Sequence, residues 1–226
     1  MTETSVPSRR KALKTPRSAA IAGIIFSVLY GASMVLINLS LPHDPTAFLA
    51  WLEADTTTVT LALNLIPFAG IAFLWFIGVI RDLLSDQEDR LFATVFLGSG
   101  LLFLALTFIG AALAAGLLSS YVVESSVLVQ SGVLTYSRKV IYHVFNIYAI
   151  RMAGVFMISL ASILLRTGLM HRGWAFLTYV LALVLLLSID YSFWVTLIFP
   201  GWVMVISAII LIRNLHTQRN EDTGEI

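Results

Sequence analysis

The chain has 226 residues, of which 58% are hydrophobic and 12% charged, with a formal net charge of +1 and no cysteine. A soluble domain carries about 25% charged residues, so this composition excludes an ordinary water-soluble enzyme, a disordered chain and a nucleic-acid-binding domain. The lack of cysteine removes disulfides, iron–sulfur clusters and thiolate zinc sites together. Of His43, His143, His171 and His216, three fall in expected loops or tails, so a haem held by two helical histidines lacks its partners here, and no cofactor or metal is expected.

The first 18 residues form a basic tail with Arg9, Arg10, Lys11, Lys14 and Arg17. Its twin arginines resemble an export signal. The long apolar run that follows has no small-residue cleavage site after it, so it reads as an uncleaved first helix. Apolar runs of about 20 residues predict spanning helices. Six occur, over 19–39, 60–80, 91–118, 140–165, 174–188 and 193–212, the fifth being short. Between the first two, Asp44 and Pro45 are placed to start a short helix carrying Phe48, Leu49, Trp51 and Leu52. That helix is expected to lie on the outer membrane surface. A loop with four acids and two arginines joins the second and third runs, and 119–137 reads as a second outer loop. The expected organisation is a cytoplasmic basic tail over 1–18, a six-helix transmembrane domain over 19–212, and a polar cytoplasmic tail over 213–226.

Lysine and arginine set the orientation. With the N-terminus in the cytoplasm, eleven of the fourteen fall on the inner side, and only Arg138 and Lys139 fall outside. The expectation is an all-α, multi-pass protein of the cell inner membrane with both termini cytoplasmic.

The remaining basic residue, Arg151, sits inside the fourth run. A central arginine costs about 2.5–3.5 kcal/mol on insertion scales, so it needs a partner or water. Counting from the inner edge at Arg166, Arg151 lies about 22 Å up at 1.5 Å per residue. The same count puts Asp190, Asn64 and Thr107 about 26 Å above their inner edges, in one outer layer. An Arg151–Asp190 pair would neutralise both charges, either as a buried lock on helix register or as part of a substrate site. Pro67 and Pro200 are predicted helix kinks that free the carbonyls of Leu63 and Thr196, and Thr196 joins the candidate binding groups. His143 and Asn146, three residues apart, share a face at the outer end of the fourth helix. In the third helix Ala112 and Gly116 form a small-xxx-small pair, which suits either close packing within the monomer or a homo-oligomer seam.

The stretch 81–103, with Glu88-Asp89-Arg90 leading into Phe92-Ala93-Thr94-Val95-Phe96-Leu97-Gly98-Ser99-Gly100, resembles a family of uncharacterised bacterial integral membrane proteins. The resemblance extends over helices two to six and implies a six-helix membrane fold, with no activity to carry over. No His-Glu-x-x-His, Gly-x-Ser-x-Gly or phosphate-binding glycine motif is present, so catalysis is not expected. Two readings remain. One is a polar intramembrane site around Arg151 that binds or transports a small solute. The other is a structural or accessory membrane protein whose Arg151/Asp190 layer only locks helix packing. The partners in either case are membrane lipids, and no nucleic acid.

Overall fold

A computed structural model describes residues 15–40, 56–84, 90–168, 170–187 and 193–224. Its elements, in chain order, are α1 (Thr15–Ser40), α2 (Thr57–Leu84), α3 (Arg90–Gln130), α4 (Val133–His143), a π-helical segment (Val144–Ala149), α5 (Ile150–Arg166), α6 (Arg172–Leu187) and α7 (Phe193–Gly224). No strand occurs among the described residues. A helix satisfies its backbone groups internally, as a chain this apolar must where water is absent.

Among the described residues, five stretches are long and apolar enough to cross a membrane: Arg17–Ser40, Thr57–Asp82, Leu91–Tyr121, Val133–Arg166 and Trp194–Ile212. α6 is the exception to the expected six. Its 16 residues span about 24 Å, short of a hydrocarbon core of about 30 Å.

Each helix packs on its neighbour in sequence, and α1 lies between α2 and α7, which closes the ring. α5 also touches α7 across the bundle. The outward surface is apolar: Phe68, Trp75, Phe176 and Trp194 are all more than 60% exposed. A water-soluble monomer does not display aromatics on this scale, whereas a lipid-facing surface does.

Aromatic rings fill the centre. Phe26, Phe73, Phe103, Phe156 and Phe199 come from α1, α2, α3, α5 and α7, and every one is buried. Their closest centroid separations are 4.6 Å for Phe26–Phe73 and 4.7 Å for Phe103–Phe199, mostly in tilted or edge-on geometry. Offset and edge-on rings bring a positive edge against a negative face, worth about 0.5–1.5 kcal/mol per pair beyond burial.

The expected outer loop over 119–137 is instead a helical hairpin. α3 continues to Gln130 and α4 begins at Val133. The serines there read as loop, but each costs a helix only a few tenths of a kcal/mol, and no glycine or proline interrupts the run until Gly132. Gly132 has φ 72°, a left-handed conformation that stops the helix and reverses the chain. Gly168, at φ 70°, ends α5 in the same manner, with the Met170 N–H donating back to the Leu164 carbonyl at 2.9 Å. The third and fourth runs therefore extend well beyond 91–118 and 140–165. The helix of the sixth run likewise continues to Gly224 through most of the expected polar tail. Both Pro67 and Pro200 lie inside uninterrupted helices. The basic tail to Lys14, the surface helix expected at Asp44 to Leu52, and Asp190 lie outside the described residues.

Candidate functional site

Arg151 is the second residue of α5, immediately after the π-helical segment. A π turn accommodates one more residue than an α turn, and such segments recur at functional sites. The segment reconciles two packing demands. On one side, Phe145 fills a notch at Gly110 of α3, where an added Cβ would come within 2.7 Å of the ring. On the other, Gly154 lies against α6, where an added Cβ would be 3.1 Å from the Ala182 carbonyl oxygen. Gly154, which packs against α6, is three residues beyond Arg151, a neighbouring position on the helix.

The Arg151 side chain as a whole is half-buried, but its Nε is enclosed and has no hydrogen-bond partner among the described residues. A buried donor without an acceptor costs about 1–3 kcal/mol, and more when charged. Beneath it the bundle is closed. Phe156, five residues on, packs on Phe96 at 4.8 Å, Phe73 at 5.3 Å and Phe199 at 5.9 Å. Ile150, just before Arg151, and Ala153, two residues after it, are buried and apolar, and Met152 between them is half-buried.

The other candidates spread over the bundle. Asn64 lies on the exposed face of α2 with Pro67 and Phe68. Thr107 is buried and donates to the Phe103 carbonyl at 2.8 Å. Thr196 is half-buried in the first turn of α7. His143 is exposed, with Nδ1 2.7 Å from the Lys139 carbonyl oxygen. Asn146 sits in the π segment and donates to the Tyr142 carbonyl at 3.2 Å. Asp190, the candidate partner of Arg151, lies outside the described residues, three positions past the end of α6. Ala112 and Gly116 are exposed on α3, whereas Ala111 is buried.

Two interhelical hydrogen bonds were not legible as spacings. The Trp202 indole donates to Thr178 Oγ1 at 2.9 Å, joining α7 to α6. Tyr179 of α6 and Ser162 of α5 meet at 3.0 Å. In each case the aliphatic hydroxyl spends its proton on its own helix. Thr178 donates to the Trp174 carbonyl at 2.9 Å and Ser162 to the Ile158 carbonyl at 2.7 Å, as Thr107 does to Phe103. The oxygen is then left to accept from an aromatic donor on the next helix. Among the described residues no group of three or more metal-ligating side chains converges. No family model, no curated protein and no solved structure matches this chain.

Proposed function

We propose that the chain is a six-helix, multi-pass protein of the cell membrane with both termini cytoplasmic, and that Arg151 forms a polar site binding a small solute with a negatively charged group. The observation that carries the reading is the enclosed Arg151 Nε with no acceptor among the described residues. An unpartnered cation in an apolar wall is retained where something else supplies the acceptor. The aromatic cluster below Phe156 favours binding at one end of the bundle over passage through it. The eleven basic residues on the Arg166 side support the orientation.

Access to the site is tested with one cysteine in this naturally cysteine-free chain. Ile147, half-buried and one turn before Arg151, is a suitable position. Labelling of Ile147→Cys in intact cells by a membrane-impermeant thiol reagent is the expected result. A folded variant that stays unlabelled refutes a water-accessible site.

The second reading is an Arg151–Asp190 lock. It is favoured by the Ser162–Tyr179 and Trp202–Thr178 bonds, in which polar groups of this bundle hold helices to one another. In that case Arg151→Ala destabilises the fold and Asp190→Ala added to it restores part of the loss. Strict additivity of the two substitutions counts against the lock.

A further inference from the structure

The ligand can be narrowed, on the premise that Arg151 is a binding residue as proposed above. We infer that Arg151 holds the phosphodiester of a membrane lipid in the leaflet nearest the α3–α4 hairpin.

Depth is the first argument. Arg151 stands fifteen residues above Arg166, about 22 Å at 1.5 Å per residue. Tyr148, 56% exposed, stands about 27 Å above the same end. Trp194, 74% exposed, stands about 28 Å above Arg213 on α7. Exposed tyrosine and tryptophan settle at headgroup level, so Arg151 lies about 5 Å beneath that belt. Helical side chains lean towards the N-terminus of their helix. The N-terminus of α5 points to the belt, so the guanidinium is carried towards the headgroups.

The surroundings of Arg151 are the second argument. α6 ends at Leu187, fifteen residues above Arg172 and therefore level with Arg151 on the same count. Leu187 and Leu183, at 67% and 52% exposure, give this flank a surface suited to acyl chains. A free anion gains nothing from such a surface. Phe156 and its ring partners close the bundle from below, so the group enters from the belt side. The residue type is the third argument. The planar guanidinium fork matches two phosphate oxygens, and arginine stays charged where a lysine would readily lose its proton.

The test is native mass spectrometry of delipidated wild type, Arg151→Gln and Arg151→Lys in neutral detergent. The probes are dioleoylphosphatidylglycerol, dioleoylglycerol and inorganic phosphate. Wild type is expected to retain the phosphatidylglycerol about tenfold more than Arg151→Gln, a difference of about 1.4 kcal/mol. Arg151→Lys falls between them, and the other two probes are retained weakly by all three proteins. Equal retention by wild type and Arg151→Gln overturns the inference. So does dioleoylglycerol retained as well as phosphatidylglycerol, because the chains alone then suffice. Inorganic phosphate retained as strongly, and lost in Arg151→Gln, overturns the lipid assignment but leaves the solute-binding reading standing. That reading fails separately, through an unlabelled Ile147→Cys. If Arg151→Gln does not fold, p-benzoylphenylalanine replaces the exposed Tyr148 in an otherwise wild-type chain. Crosslinking to phosphatidylglycerol above dioleoylglycerol is then expected, and equal crosslinking overturns the inference.

Discussion

Replacing Gly154 by valine should part α5 from α6 and weaken the fold. The nearest neighbours of an added Cβ are the Ala182 carbonyl oxygen at 3.1 Å and Leu186 Cγ at 3.2 Å. The first of these is backbone inside α6 and moves only if the helix moves. Overpacking of this kind costs about 1–3 kcal/mol. Valine recovers only about 0.3 kcal/mol of helix propensity relative to glycine, so the net loss should be about 1–2.5 kcal/mol. Gly98→Ala is the internal control. Its Cβ meets open space, so it should gain about 0.5–1 kcal/mol from the backbone alone. Reversible unfolding in mixed micelles, titrated with denaturing detergent, reads both variants against wild type. If Gly154→Val proves as stable as Gly98→Ala, the close α5–α6 approach and the account of packing around the π segment are wrong.

Removing the acceptor under Trp202, by Thr178→Val, should cost more than Trp202→Phe removes through the hydrogen bond alone, because it strands a buried indole N–H. The double-mutant cycle should show a coupling of about 0.6–1.7 kcal/mol, and zero coupling refutes the bond's contribution. Gly116→Leu should leave monomer stability within about 0.5 kcal/mol of wild type, since the site faces open space. If α3 forms a homo-oligomer seam through Ala112 and Gly116, the same change abolishes crosslinking between copies in membranes. A cysteine at Ser131 should react with an impermeant reagent from outside intact cells, and one at His171 should react only after permeabilisation. The reverse pattern inverts the proposed topology.

The apolar runs made the helices and their approximate order readable, because lipid and helix share one demand, that backbone groups be satisfied internally. Where a helix stopped was less readable. Ser119 and Ser120 look like a loop by polarity, but polarity does not break helices; Gly132, with its left-handed φ, does. The depth count placed Asn64, Thr107 and Arg151 in one layer, but depth carries no rotation about the helix axis. Asn64 turned out on the exposed face of α2, and Thr107 is buried and bonds to the Phe103 carbonyl of its own helix. The π segment left no sequence signature. Phe145 within it packs on Gly110 and Gly154 just beyond it packs on Ala182, contacts that only the packed bundle reveals. For the same reason Gly154 is unsuited to carry a reporter side chain.

The α3–α4 hairpin has a practical consequence. α3 has 41 residues, about 61 Å at 1.5 Å per residue, roughly twice the thickness of a hydrocarbon core. Its reversal needs only Ser131 and Gly132. Two antiparallel helices joined by so tight a turn form a mast on a 24.9 kDa protein. A folded helical carrier grafted in phase at that turn would hold a fixed orientation to the bundle. It would give a small particle the mass and asymmetry that image alignment requires, without touching the face that carries Arg151.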